Sequence, residues 1–583
     1  MPMTDRTARW RLSRPAPQQR GKLADELRVS PITAQLLINR KIDDAGAARR
    51  FMAAHFEDII DPSLLPDIGP AVDRLVQAIS GRQHVVVYGD SDADGLAATA
   101  IVTRLLSMLG CRVDTFIPGR LTDGYGLSTE TAERLIFAKP DLVVTVDCGI
   151  TSVAEVRQLR DAGVDVIVTD HHQPGEEVPP ANAVVAARRP GSEYPFADLS
   201  GAGVAFKLAW GLAQALSPGK RVSDECREFL NEATALVALG TVADVCPLRG
   251  ENRVLVRYGL KAITASRRPG LAALLASARR VSRGYRRDLT ARDVAWSLGP
   301  VINAAGRLGR PETALELLLA DETEEAERLA AELVRMNSQR RALGRSVAGE
   351  AMAEAEAEMD APALVLASEA WHGGVLGPAA SKVSEKFGRP ALLVAFDGDV
   401  GRGSARAPKG SRLSDLLADC SEHLEAHGGH DGAAGLTVKR SNFEAFKAAF
   451  LAAAQKALGA AEIPELETSV EAEVPMGELT RALAEEVDQL RPFGEANPEP
   501  ILASLGLTIA GVPRTIGAGR SISFRVKNGS GRSIRAVGFG WATNMIELEQ
   551  LGRKGRLDLA YKLSRDIRTG EPELILEDYR PSS

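Results

Sequence analysis

The sequence predicts a multidomain α/β protein with a helix-covered parallel sheet, a long connector helix, a second, smaller α/β block and a small C-terminal β-structure. Three observations carry this. From about residue 84, short apolar β-branched runs alternate with Ala-, Leu- and Glu-rich stretches. Residues 312–358 are rich in Ala, Glu, Leu and Arg and nearly free of Gly and Pro. Beyond residue 500, short alternating runs are separated by Gly and Asn turns. A chain of 583 residues is also too long for one hydrophobic core.

Residues 1–70 are basic and broken by prolines, and read as a small helical segment leading into the first large domain. The strands of the first sheet are expected at Val85–Tyr88, Val113–Ile117, Leu142–Val146, Val164–Thr169 and Ala183–Ala187, with helices over Leu96–Leu109 and Ser128–Phe137 between them. Residues 231–245 read as a buried helix, and 312–358 as one long helix or two in line. In the second block, strands are expected at Ala363–Ala367 and Ala391–Ala395, with helices over 379–387 and 412–426. Ser521–Val526, Ser533–Phe539, Arg556–Leu563 and Glu573–Glu577 read as strands of an antiparallel barrel or sandwich.

Composition narrows the function. A net charge of −6 argues against coating by polyanions over the whole surface, while the basic stretches 1–50 and 266–310 leave room for a local channel. Five cysteines without CxxC spacing suggest neither a zinc site nor a disulfide framework, which suits a reducing cytoplasm. No secretion signal and no membrane span are expected, because no apolar run reaches the length a bilayer needs.

The chemistry-bearing residues cluster at strand ends. One apolar strand runs into Asp90, Asp92 and Asp94 at alternate positions. Alternate side chains of an extended segment share a face, and three carboxylates there repel unless a cation neutralises them. Read alone, the triplet has a second reading, a solvated acidic turn with an Asp N-cap. A second strand ends in Asp147, and a third in Asp170, His171 and His172. The carboxyl edge of an open parallel sheet is where ligands bind. Carboxylates with one or two imidazoles suit Mn²⁺ or Mg²⁺ better than structural zinc. Asp244 sits in an apolar helical run, where a carboxylate is costly unless paired or metal-bound.

Asp90-Ser-Asp-Ala-Asp-Gly95, Asp147, Asp170-His-His172 and Asp244 are together similar to the four ordered motifs of the DHH phosphoesterase superfamily. Five further segments resemble the RecJ branch of that superfamily. They are Phe116-Ile-Pro-Gly-Arg-Leu-Thr-Asp-Gly-Tyr-Gly-Leu127, Pro300-Val-Ile-Asn-Ala-Ala-Gly-Arg-Leu-Gly309, Arg402-Gly-Ser-Ala-Arg406, Gly428-Gly-His-Asp-Gly-Ala-Ala-Gly435 and Arg491-Pro-Phe-Gly-Glu-Ala-Asn-Pro498. The resemblance runs from about residue 50 to the end.

It implies a single-stranded-DNA-specific 5′→3′ exonuclease of recombination and repair that releases 5′-mononucleotides. The implied division is 1–70 N-terminal helical segment, 71–320 DHH catalytic domain, 321–358 connector helix, 359–460 DHHA1 domain and 461–583 OB-like nucleic-acid-binding domain. Asp90, Asp92, Asp94, Asp147, His171 and Asp244 would hold two ions, Mn²⁺ or Mg²⁺, with Asp147 bridging. Asp170 and His172 would stand behind the ligands or face the substrate, with His172 in the catalytic set. Arg120, Ser404 and Arg406 would grip the 5′ phosphate, and Arg307 and His430 the phosphate at the scissile bond. Tyr88 stands where pyrophosphatase relatives carry a metal-binding histidine, and Ser91 where many relatives carry an aromatic. The implied partners are single-stranded DNA, a helicase and a single-strand-binding protein, with the chain itself a monomer.

The residues support the same chemistry independently. Two cations roughly 3.5–4 Å apart can activate water and stabilise the entering and leaving oxygens of an in-line displacement. The arginines of 266–310 suit a nucleic-acid backbone or an ordinary solvated helix face. Phe524, Phe539, Trp541 and Tyr561 are candidate stacking rings, with core packing expected for at least two. The alternatives are a DHH enzyme for oligoribonucleotides, cyclic dinucleotides or pyrophosphate, and a noncatalytic DNA-binding scaffold. The connector and the C-terminal barrel argue against the first, and the full set of ligands against the second.

Overall fold

The computed structural model describes residues 9–119, 126–217, 221–281, 288–408, 410–458, 467–529, 531–566 and 568–582. The first sheet has five parallel strands in the spatial order Arg112–Phe116, His84–Gly89, Leu142–Val146, Asp165–Thr169, Ala183–Val185. Both faces of its central strands are covered, which is why these runs are apolar throughout rather than alternating. Val85 and Val87 point into one core with the helices Ala93–Met108, Gly201–Ala215 and Asp224–Ala243. Val86 and Tyr88 point into the opposite layer, against the helices Thr129–Ala138 and Val153–Asp161. The strand His84–Gly89 is followed on one side by Arg112–Phe116 and flanked on the other by Leu142–Val146. Strand order therefore reverses at this point, and a crevice opens beyond the carboxyl ends.

The run 312–358 forms two helices, Pro311–Leu319 and the 33-residue Thr323–Ala355. At 1.5 Å per residue the second is about 50 Å long. Its first half buries Leu329, Leu333 and Met336 in the core of the first sheet. Its second half buries Val347, Ala348, Ala351 and Ala355 against Val375, Leu376, Ala379 and Val383 of the second block. One helix thus builds both cores and fixes their separation.

The second sheet runs Ala426–His430, Ala433–Lys439, Val400–Arg406, Ala391–Asp397, Leu364–Ser368, with only the last pair parallel. The helix expected over 412–426 is shorter, Leu413–Ala418. The residues after it leave the helix because Ala426–His430 pairs with Ala433–Lys439, and cross-strand hydrogen bonding overrides helix propensity there. The glycine-rich segment is therefore a hairpin. A Cβ on Gly429 would lie 2.5 Å from Ala434 Cα, so only glycine allows that approach.

Beyond residue 500, the strands Ile501–Ile516, Ser521–Lys527, Ser533–Gly538, Pro572–Pro581 and Leu557–Arg565 close into a five-stranded barrel. Phe524 and Tyr561 lie in its core, whereas Phe539 is 64% exposed. Only Phe539, and Trp541 in part, remain as surface rings of the four proposed.

The N-terminal segment corrects the sequence reading. Its helices, Pro17–Leu27, Pro31–Asn39 and Ala45–Ala53, do not simply lead into the first domain. Leu23, Ile32, Leu36 and Leu37 share one core with Leu479, Leu483, Val487 and the barrel. The strand Arg9–Leu12 pairs in parallel with Glu467–Val470, and Trp10 Nε1 donates to Asp578 Oδ2 at 2.7 Å. Chain ends over 450 positions apart build one unit, and no local pattern announces such a pairing.

Candidate active site

Asp90, Asp92 and Asp94 follow the strand His84–Gly89 directly. Asp92 is the N-cap of the helix Ala93–Met108, its Oδ1 accepting from the amides of Asp94 at 2.9 Å and Gly95 at 3.2 Å. The capping role and a place in the site coexist, because Asp92 also lines the cleft described below. Asp94 is fully buried and accepts from the amides of Gly201 at 2.7 Å and Ala202 at 3.0 Å, at the N-terminus of the helix Gly201–Ala215. That helix end supplies positive potential to the carboxylate.

Asp147 ends the neighbouring strand with φ at +62°, a conformation uncommon for a residue with a side chain. Such strain gathers at functional sites. The next strand delivers Asp170, His171 and His172. Asp170 Oδ1 accepts from the amides of His171 at 2.7 Å and His172 at 3.1 Å and pairs with His172 Nδ1 at 2.7 Å, while its Oδ2 accepts from Ile150 N at 2.9 Å. Both oxygens are thus used in orienting the turn and the His172 ring. His171 Nε2 lies 3.0 Å from Asp147 Oδ1, 3.7 Å from Asp244 Oδ2 and 3.9 Å from Asp94 Oδ2.

Asp244 corrects a detail of the sequence reading. It lies not within the helix Asp224–Ala243 but at its C-cap. The helix dipole is negative there, so the carboxylate is opposed by the helix that carries it. A cation beside it relieves that repulsion.

The residues fit a pair of divalent ions. Asp147 Oδ1 and His171 Nε2 are buried and have no hydrogen-bond partner among the described residues, yet face each other across 3.0 Å. Two lone-pair donors so placed need a shared Lewis acid or proton. Ligand atoms of Asp94, His171, Asp244 and Cys246 all lie within 4.8 Å of one another, as do those of Asp90, Asp92 and Asp147, and those of Asp147, His171 and His172. Burial, then repulsion from Asp244, pushes Asp94 well above the carboxylate range; burial and the Asp94 charge do the same to Asp147. Burial and Asp92 raise Asp244 to about 6. Burial and His172 lower His171 to about 4, leaving a neutral imidazole for ligation. His172 goes the other way: burial opposes its charge, but Asp170 outweighs it and raises the ring to about 9. Tyr88 takes no part, since its hydroxyl donates to Gly126 O at 2.7 Å within the apolar layer.

A cleft of about 510 Å³ opens over this centre, lined by residues including Asp92, Asp244, Asn303, Arg307, Arg406 and His430. It brings the two α/β blocks to one site. Arg307 ends the helix Gly299–Arg307, and its Nη1 donates to Gly374 O of the second block at 3.3 Å. Arg406 Nη1 donates to Ser404 Oγ at 3.0 Å in the strand Val400–Arg406. His430 ends its strand at the hairpin, its Nδ1 accepting from Gly432 N at 3.2 Å. Arg120 lies outside the described residues.

Sequence reasoning missed three residues here. Asn303 Oδ1 accepts from Ala93 N at 2.7 Å and holds the start of the triplet's helix. Gly201 leaves space for Asp147, and Cys246 adds a thiol. Asn303 lay inside a quoted motif; the other two carry no local signal.

The model of the DHH family, N-terminal domain, matches residues 84–241, that of the DHHA1 domain 360–456, and that of the RecJ OB domain 470–578. The chain is 39% identical over 532 residues to the single-stranded-DNA-specific exonuclease RecJ of Thermus thermophilus, covering 90% of this chain and 73% of that protein. This chain belongs to the RecJ family. The RecJ of Bacillus subtilis is 34% identical over 536 residues, covering 91% of this chain and 66% of that longer protein. The crystal structure of RecJ in complex with Mn²⁺ from Thermus thermophilus superposes with a TM-score of 0.81 at 34% identity, covering 99% of this chain and 80% of that one. The parallel sheet, the connector and the closed barrel are therefore the RecJ fold. Among the described residues, no helix is long and apolar enough to cross a membrane.

Proposed function

We propose that this RecJ-family chain is a single-stranded-DNA-specific exonuclease, hydrolysing from the 5′ end and releasing 5′-mononucleotides with Mn²⁺ or Mg²⁺, in recombination and repair. The observation that carries the reading is the facing pair Asp147 Oδ1 and His171 Nε2, joined through Asp244, 3.7 Å from His171 Nε2, to a cleft that Arg307, Arg406 and His430 also line. Asp94, His171 and Asp244 would hold one ion and Asp90, Asp92 and Asp147 the other, and ligand atoms of Asp147 and His171 lie close enough to link the two groups. When bound, such ions supply an activated water and neutralise charge on the phosphoryl oxygens.

The chain's own residues do the rest. Arg307 and His430 meet the charge that develops at the scissile phosphate. Arg406 and Ser404, with Arg120, receive the terminal 5′ phosphate and set the register of cleavage at one nucleotide. His172, its ring oriented by the 2.7 Å contact of Nδ1 with Asp170 Oδ1, stands beside the centre as a proton donor or phosphate contact. The division proposed is the implied one, 1–70, 71–320, 321–358, 359–460 and 461–583, with the helices Pro17–Leu27, Pro31–Asn39 and Ala45–Ala53 packed on the barrel core. The protein acts as a cytoplasmic monomer on strands exposed by a helicase and kept open by a single-strand-binding protein. Its five free cysteines suit a reducing compartment.

The test is Mn²⁺-dependent release of mononucleotides from single-stranded DNA labelled at the 5′ or the 3′ end, with Asp147→Ala as control. Early release of 5′ label, abolished in the variant, is expected. Attack from the 3′ end, or an active Asp147→Ala, overturns the reading.

A further inference from the structure

One donor at the metal centre is of a different kind from the rest. The Sγ of Cys246 lies 3.2 Å from Asp244 Oδ2. It belongs to the set of four donors, with Asp94, His171 and Asp244, whose atoms all lie within 4.8 Å of one another. Atoms so spaced can all reach one cation at ordinary coordination distances, about 2.0–2.3 Å for nitrogen, oxygen and sulfur on zinc, with small side-chain adjustments.

The backbone brings the thiol there. The helix ends at Ala243, and Val245 adopts φ of +59°, a left-handed conformation costly for a β-branched side chain. That turn sends Val245 outward, 63% exposed, and folds Cys246 inward, 7% exposed, with its amide on Thr241 O at 3.0 Å. The space Cys246 faces already holds an independent mark of a ligand. His171 Nε2, on a residue 8% exposed, points into it without a hydrogen-bond partner among the described residues.

We propose that Cys246 ligates the cation held by Asp94, His171 and Asp244, making that half of the centre a carboxylate–imidazole–thiolate site that takes Zn²⁺ or Co²⁺ in preference to Mn²⁺. This rests on the metal reading above and deepens it. The two halves then differ in kind. The group of Asp90, Asp92 and Asp147 offers only oxygen, suited to Mn²⁺ or Mg²⁺, whereas thiolate sulfur favours softer ions. On binding, the S–H proton leaves to solvent as the S–metal bond forms, and no electrons are transferred. Cys148 does not compete for this role: its Sγ contacts Val146 O at 3.5 Å on the apolar side of the sheet.

Two measurements on the full chain test this. Co²⁺ is titrated into wild type and Cys246→Ser while the absorption spectrum is recorded. A sulfur-to-cobalt charge-transfer band in the near ultraviolet, present in wild type and absent in the variant, is expected. Zn²⁺ and Mn²⁺ affinities are then measured by calorimetry. Direct ligation lowers the ratio of Zn²⁺ to Mn²⁺ affinity by more than about tenfold in Cys246→Ser, whereas a thiol that merely orients Asp244 weakens both ions alike. Cobalt d–d bands without charge transfer in wild type, or an unchanged ratio, overturn the assignment of Cys246 and leave the metal centre standing. Failure of wild type to bind Mn²⁺ or Co²⁺ overturns the metal reading itself, and this inference with it.

Discussion

Gly201 stands against Asp147 with no room for a side chain. A Cβ there would fall 2.5 Å from Asp147 Cγ. The same residue donates its amide to Asp94 Oδ2 at 2.7 Å. One glycine thus sets the spacing between the carboxylate of Asp147, just after a strand, and that of Asp94, in the first turn of a helix. Gly201→Ala is expected to displace both, with an overpacking cost of about 1–3 kcal/mol. Misplacing a ligand by about 1 Å costs on the order of 10²-fold in turnover. Gly203→Ala is the control, since its Cβ would meet Leu199 and Ser200 at 3.3 Å and 3.4 Å. Calorimetric Mn²⁺ binding and mononucleotide release should fall together in the first variant and stay near wild type in the second.

Asp244 makes the stability of the metal-free protein depend on pH. Its folded-state pKa is raised from 3.8 to about 6. Between those values the native state holds more protons than the unfolded one, so the metal-free protein loses stability as pH rises through that window. Above about pH 6 the penalty is complete, and its upper bound is about 3 kcal/mol. In chelator, Asp244→Asn should therefore melt higher than wild type at pH 7.5, with the gap closing toward pH 4. Added Mn²⁺ should reverse the order at pH 7.5, because wild type alone regains a ligand. Melting curves at the two pH values, with and without Mn²⁺, check this; equal melting temperatures in chelator at pH 7.5 would count against it.

The two cleft arginines are expected to fail differently. Arg406 belongs to the second block and bonds Ser404, while Arg307 lines the cleft beside Asp92 and Asn303. Losing a charge-assisted contact to phosphate costs about 1.5–3 kcal/mol, or about 10- to 150-fold. Arg406→Ala should raise KM for 5′-phosphorylated strands by such a factor and erase their advantage over 5′-hydroxyl strands. Arg307→Ala should lower kcat with a smaller change in KM. Steady-state kinetics on both substrates separate the two, and identical profiles would contradict the assignment.

What could be read from the sequence followed from local physics. Leu142–Val146 is a strand at its expected bounds because a buried, mostly β-branched run between a Pro-Asp turn and an acid has few other folds. The acids and histidines at three such ends could meet because the strands are parallel neighbours. The 16-residue strand Ile501–Ile516 was not legible, since Gly506, Gly511 and Pro513 read as turn signals. They instead sit at or near the register shifts that bend one strand around two neighbours. Gly201 and Cys246 matter only through what approaches them, and that is set by residues far away in the chain.

The arm that carries Asp244 is held from the barrel side. Four residues beyond it, the Leu248 amide donates to Glu495 O at 2.8 Å, in the segment that precedes the barrel. A Cβ on Gly494 would lie 2.6 Å from Leu248 Cδ1. Arg253, fully buried, donates to Leu490 O at 2.9 Å and Gln489 O at 3.1 Å, joining the end of the helix Arg481–Gln489 to the catalytic domain. The barrel side therefore buttresses a metal-binding arm of the sheet domain. Gly494→Val should push on Leu248 and loosen Asp244, weakening Mn²⁺ by about tenfold, the scale on which supporting contacts act. Removing the side chain opposite, in Gly494→Val/Leu248→Ala, should restore Mn²⁺ affinity while adding a cavity cost of about 2–5 kcal/mol to stability. A merely destabilised protein would lose stability in both variants without recovering its metal in the second. Calorimetry with Mn²⁺ and urea unfolding distinguish the outcomes, and an unaltered Mn²⁺ affinity in Gly494→Val would break the link between barrel and metal centre.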